Sequence, residues 1–200
     1  MSYTKTSSSG TISYHKDAAC TILHREDGPA IEWADGSCNW MLDGKLHRAG
    51  GPAVVSGDFL QAWYQHGQLH RTDGGPAVEF TAVQWNPYAG DRCWYIDGEL
   101  HREGAPAIEN RDGSYMWYHH GRKHRLNGPA VRTSKGQLQW WVDGKRTTEK
   151  QVKAIANALK TTTRDYMILQ QLKALELKLV KMTNEELAYT LAVKMVRENV

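Results

Sequence analysis

The chain has 200 residues, 40% of them hydrophobic, enough for a sizeable core in one or two domains and too many for a chain disordered throughout. Its net charge of +3 is uneven: 16 Lys and Arg balance 16 Asp and Glu through residue 148, and 9 face 6 beyond it, so no basic face for duplex nucleic acid is expected in the first three quarters. Three cysteines, Cys20, Cys38 and Cys93, cannot all pair within one chain, and no signal peptide or long apolar run stands in the sequence, so the expectation is a cytoplasmic protein that makes no membrane contact.

Residues 1–10, "MSYTKTSSSG", are polar and Ser-rich and read as a disordered N-terminus. Residues 11–22 read as a degenerate half-unit that caps a sheet edge. From residue 23 the chain repeats itself. "LHREDGPA" at Leu23 returns as "LHRAGGPA" at Leu46, "LHRTDGGPA" at Leu69, "LHREGAPA" at Leu100 and "KHRLNGPA" at Lys123. The units are 23–45, 46–68, 69–99, 100–122 and 123–145, four of them 23 residues long. The third is lengthened by the extra Gly of Gly74-Gly75 and by the insertion "TAVQWNPYAGDR", residues 81–92. Self-similarity at this period predicts stacked supersecondary units over residues 23–148.

Turn residues define the interior of a unit. Asp35-Gly36 and Asp43-Gly44 flank "SCNWML", and Asp-Gly between alternating residues signals a hairpin because Gly takes positive φ without a Cβ clash. The second turn recurs at His66-Gly67, Asp97-Gly98, His120-Gly121 and Asp143-Gly144, and Pro29, Pro52, Pro76, Pro106 and Pro129 precede the next strand. Each unit is therefore expected to be mostly a β-hairpin. Trp40, Trp63, Trp94, Trp117 and Trp140 form a column expected to be the core, with Ala30, Ala53, Ala77, Ala107 and Ala130 making room for it. Met41, Tyr64, Tyr95, Tyr118 and Trp141 follow the Trp positions and face the other way.

Residues 149–200 are expected to be helical. Thr148 and Gln151 suggest a capping box before Val152, Ile155, Ala156 and Leu159; a second helix is predicted from about Arg164 to Lys181; Thr183 and Glu186 open a third. The apolar stripe from Ile168 to Met182 suits a homodimer formed through these C-terminal helices.

The motifs Trp-Tyr-x-Asp-Gly-Lys-x-His-Arg and Gly-Pro-Ala, over roughly residues 23–145, resemble MORN repeats, in a variant similar to repeats of large bacteriophages and giant viruses. The resemblance implies a MORN-like array of antiparallel hairpins, a viral or bacterial source, and a scaffold or binding role. Ala105 in place of Gly, the insertion, and Arg146-Thr147-Thr148 where His-Arg would stand depart from the pattern.

Five copies of His-Arg argue against a catalytic pair, which is needed once. Strands about 4.8 Å apart put equivalent histidines of successive units roughly 10 Å apart, too far to share one zinc ion. The structural reading is an imidazole beside a Trp, bonded to a turn carbonyl, and an Arg paired with a nearby acid or a strand carbonyl. The alternative is a polyanion-binding ladder of Arg25, Arg48, Arg71, Arg102 and Arg125. His119, His120 and His124 in "YHHGRKHR" read as exposed turn residues, because neighbours on a strand face opposite ways. No catalytic motif, metal site or cofactor is assigned. Trp85 and Tyr88 in the insertion, with Arg92 at its end, are the candidate partner-binding residues. The expected function is a non-enzymatic protein-binding scaffold, a phage or viral accessory protein that inhibits or sequesters a host protein, such as a defence factor. The rivals are an enzyme or nucleotide-sequestering protein with an aromatic pocket, and a nucleic-acid binder.

Overall fold

A computed structural model describes residues 3–81 and 88–180, with side chains through residue 172. Trp85 and the helix expected after Thr183 lie outside these residues. The chain divides into two compact bodies, Met1–Val152 and Lys153–Val200.

The first body is built of short strands. They are β1 (Tyr3–Thr6), β2 (Ile12–His15), β3 (Ile31–Glu32), β4 (Cys38–Asn39), β5 (Met41–Leu42), β6 (Lys45–Leu46) and β7 (Val54–Ser56). Next come β8 (Leu60–Ala62), β9 (Tyr64–Gln65), β10 (Gln68–Leu69), β11 (Val78–Phe80), β12 (Arg92–Cys93), β13 (Tyr95–Ile96) and β14 (Glu99–Leu100). The last are β15 (Ile108–Glu109), β16 (Tyr115–Met116), β17 (Tyr118–His119), β18 (Arg122–Lys123), β19 (Val131–Arg132), β20 (Leu138–Val142) and β21 (Lys145–Thr147). Thirteen of them make one repeat-like antiparallel sheet in the order β1-β2-β3-β4-β7-β8-β11-β12-β15-β16-β19-β20-β21. The pairs β5-β6, β9-β10, β13-β14 and β17-β18 form two-stranded ribbons beside it.

Each Trp of the column is the crossing point from sheet to ribbon. Trp40 N–H donates to the Ala53 carbonyl at 2.7 Å, and the Trp40 carbonyl accepts from His47 N–H at 3.0 Å; Trp63, Trp94 and Trp117 repeat both bonds. In the last hairpin β20 runs through the crossing without a break, pairing Leu138 and Gln139 with β19 and Trp140–Val142 with β21. Ribbon turns close with two successive residues of positive φ, as at Asp43 (48°) and Gly44 (74°), the mirror-image turn that matches strand twist. The turn glycine then donates to the preceding ribbon: Gly44 to Leu23, Gly67 to Leu46, Gly98 to Leu69, Gly121 to Leu100 and Gly144 to Lys123.

Two expectations about the first residues change. Tyr3–Thr6 is not a loose tail but a strand paired in register with Ile12–His15. Its turn is held by Ser7 N–H to Thr11 O and Gly10 N–H to Ser7 O, so the polar Ser-rich stretch closes a hairpin. Tyr14 occupies the place of a Trp: its N–H donates to Ala30 O, its carbonyl accepts from His24 N–H, and the Arg25 guanidinium lies 3.9 Å from its ring centroid. The "half-unit" therefore supplies the crossing residue for the first His-Arg pair. A longer turn hid the match, since Asp17 gathers the amides of Thr21 and Ile22 and the Thr21 hydroxyl.

The core also differs from the expected Trp column. Ala30, Ala53, Ala77, Ala107 and Ala130 are the fully buried residues, at 0% exposure, whereas among the column rings only Trp94 is buried, at 6%. The remaining indoles are half-buried, and an Arg lies over three of them, Trp40, Trp63 and Trp117. Trp94 alone has an indole N–H donating to Gly74 O, a carbonyl supplied by the extra glycine of the third unit.

After β21 one helix, α1 (Glu149–Val180), takes the place of the two predicted up to Lys181. Thr148 and Gln151 do form the capping box, with Thr148 N–H to Gln151 Oε1 at 3.1 Å and Gln151 N–H to Thr148 Oγ1 at 3.3 Å. The expected break fails because Thr161, Thr162 and Thr163 return their hydroxyls to the carbonyls of Asn157, Ala158 and Leu159, satisfying themselves inside the helix. No described helix is long and apolar enough to cross a membrane.

Candidate functional site

The recurring Arg is held in a three-sided clamp. Its guanidinium lies over the aromatic ring at the preceding crossing, with centroid distances of 3.9 Å for Arg48 on Trp40, 3.8 Å for Arg71 on Trp63, 3.6 Å for Arg102 on Trp94 and 3.9 Å for Arg125 on Trp117. Nη1 donates to the carbonyl of the following proline: Pro29, Pro52, Pro76, Pro106 and Pro129, at 3.0 to 3.3 Å. Glycine forms the third side in four copies, and Ala105 stands there in the Arg102 copy. A Cβ added to Gly28 would stand 2.6 Å from the Arg25 guanidinium carbon, and one on Gly51 2.9 Å from that of Arg48. The Gly-Pro-Ala motif is thus the socket of the Arg. Acids reach some copies, Glu32 at Arg25 and Glu109 at Arg102, both at 2.7 Å, and none is needed at Arg48. The five guanidiniums named as a possible polyanion ladder each have internal partners.

The recurring His does not bond a turn carbonyl as expected. Nδ1 accepts instead from a turn amide 19 residues on in most copies: His24 from Asp43, His47 from His66 and His101 from His120, at 3.1 to 3.2 Å. His124 faces the Asp143 amide, and His70 the Asp97 amide across the inserted loop; at His24, His70 and His124 the Asp carboxylate also lies 2.9 to 3.1 Å from the same Nδ1. The donor is the first positive-φ residue of the next ribbon turn, whose N–H faces away from its own hairpin. Burial, and then the neighbouring His66, lowers the His47 pKa, which keeps Nδ1 an acceptor at neutral pH.

Two of the five turn residues are themselves histidines. His47 and His66 have centroids 4.6 Å apart, and His101 and His120 4.3 Å. At the second pair His119 joins, 5.0 Å from His101 and 4.5 Å from His120, and donor atoms of the three rings lie within 4.8 Å of one another. Strand alternation was expected to separate His119 from His120. It does not apply, since His120 sits in the turn at φ 46°. The His119 pKa is lowered by burial and by His120, His101 and His124, with Glu103 opposing.

Of the partner-binding candidates, Tyr88 is 59% exposed with its ring 5.6 Å from Phe80, and Arg92 is paired with Glu109 at 2.9 Å. Trp85 is outside the described residues. Tyr64, Tyr95 and Tyr118 are half-buried, and burial first, then Cys93, Tyr118 and Tyr64, raises the Tyr95 pKa. A depression of about 260 Å³ is lined by Trp33, Asp35, Ser37, Asn39 and Val54 to Ser56. Asp35 there is kept ionised by bonds from Ser37, an unfavourable wall for a phosphate. Burial pushes the Cys93 thiol up to about 11, so it is not a thiolate nucleophile at neutral pH. No family model matches the chain, and no curated protein matches it.

Proposed function

We propose that this protein is a non-enzymatic binding scaffold, a MORN-like β-repeat array that presents the 81–92 loop to another macromolecule. The observation that carries the reading is the internal use of the motif: every His-Arg pair is engaged by the fold, so the repeated polar residues maintain the sheet. Recognition then falls to what is not repeated. Tyr88 stands exposed within the insertion, which ends at Arg92. The likeness of the motifs to phage and giant-virus repeats makes a host protein in the cytoplasm the expected partner. The test is capture from bacterial lysate on the immobilised full chain, with Trp85→Ala/Tyr88→Ala beside it. The reading expects a discrete partner lost with the double variant; a partner retained by it would place recognition elsewhere.

A second reading concerns α1. Ile155, Leu159, Tyr166, Met167, Ile168, Leu169 and Leu172 are 39% to 61% exposed. An apolar stripe of this kind supports self-association of the chain through its C-terminal helices.

A further inference from the structure

The seam between the third and fourth ribbons, β13-β14 and β17-β18, differs from the other seams by a few side chains. Its turn residue is His120, as His66 is in the second unit, where Asp43, Asp97 and Asp143 stand in the others. The residue before the turn is His119, where the other hairpins carry Leu42, Gln65, Ile96 and Val142. The residue after His-Arg is Glu103, whose Oε1 lies 3.2 Å from His101 Nε2 and 3.7 Å from His119 Nε2. Three imidazoles and one carboxylate converge at this seam. The His47–His66 pair has Gln65 and Ala49 at the matching positions.

We propose that His101, His119 and His120 bind an imidazole-preferring divalent cation of the zinc class, with Glu103 as the fourth donor. Nitrogen and oxygen donors about 2.0 to 2.2 Å from a tetrahedral ion stand roughly 3.4 Å from one another, so rings whose donors now lie within 4.8 Å need movements on the order of 1 Å. The side chains are free to make them: His119 is 49%, His120 58% and Glu103 81% exposed. His101 is the fixed member, 11% exposed. In the metal-free protein its Nδ1 accepts the His120 amide and its Nε2–H faces Glu103. Coordination at Nε2 moves that proton to Nδ1, releases the His120 amide to water and leaves the Glu103 carboxylate to the ion. The ion thereby replaces one interhairpin hydrogen bond with coordinate bonds across the same seam. Equivalent histidines of successive units stand too far apart to share an ion; this site joins non-equivalent ones, the motif histidine of one hairpin and the turn of the next.

The test uses the untagged full chain, dialysed free of metal and titrated with ZnCl2 at pH 7.5, with metal content measured in parallel. The comparison variants are His119→Gln, which installs the residue found at position 65, and His120→Asn, which tolerates the positive φ. His66→Asn serves as the control. The site predicts one zinc per chain with a Kd of about 10 μM or tighter, a melting temperature that rises with free zinc, and at least tenfold weaker binding in both seam variants. The control binds as the parent does. An imidazole nitrogen spectrum would show His101 exchanging its Nε2–H for an Nδ1–H form. Fewer than about 0.2 zinc per chain at 100 μM free metal, or parental affinity in His119→Gln with its melting temperature unchanged, overturns the proposal.

Discussion

Arg48 gives the cleanest measure of the clamp, because it covers Trp40 at 3.9 Å and donates to the Pro52 carbonyl at 3.0 Å with no acid in its ion-pair contacts. Arg48→Met keeps much of the apolar stem and removes charge and donors. A half-buried cation over a Trp contributes roughly 1 kcal/mol, and a charged hydrogen bond to a part-buried carbonyl about 1.5 kcal/mol. The expected loss is therefore about 2 to 3 kcal/mol, read as a lower urea midpoint in far-UV circular dichroism and Trp fluorescence. Arg48→Lys retains the charge but not the plane that lies between ring and glycine, so it should recover less than half of the loss. A methionine variant within about 0.5 kcal/mol of the parent, or full rescue by lysine, would refute the clamp.

Stability should depend on the neutral imidazole of His47. Because the folded-state pKa of His47 is below its ordinary 6.5, the stabilisation is complete above that value and declines as pH falls below it toward the folded-state pKa; His47→Asn, which keeps an acceptor for the His66 amide, should flatten that part of the urea-midpoint profile. Sedimentation of the full chain should give a dimer that truncation after Arg146 abolishes, and a monomer at high micromolar concentration would exclude pairing through α1.

Much of the local fold is legible in the sequence because turn chemistry is local: Asp43-Gly44 and its four counterparts require positive φ, and they have it. The glycine before four of the five prolines was read only as a turn residue, yet its missing Cβ makes room for the guanidinium; Ala105 stands at that place in the Arg102 copy. That contact depends on how the chain folds back over its own hairpin, which spacing alone does not give. The His-to-amide seam was missed for a related reason. It joins residues 19 apart in successive hairpins, and the turn amide, a group present at every residue, leaves no mark on residue identity. The triple-His seam could have been found by comparing His119 with Gln65 and Ile96, an irregularity inside a repeat. The single helix is a different lesson: three threonines in a row look like a break, but their hydroxyls find carbonyls one turn back.

The central claim is that the repeated residues hold the fold while the insertion recognises a partner. The decisive measurement is affinity for the captured partner, per folded molecule, alongside the melting temperature, for Arg48→Met and for Trp85→Ala/Tyr88→Ala. The account predicts that the arginine variant melts lower and binds as the parent does, whereas the loop variant melts as the parent does and binds at least tenfold more weakly, about 1.4 kcal/mol. The reverse pattern, lost binding in Arg48→Met at unchanged stability and parental affinity in the loop variant, would contradict it.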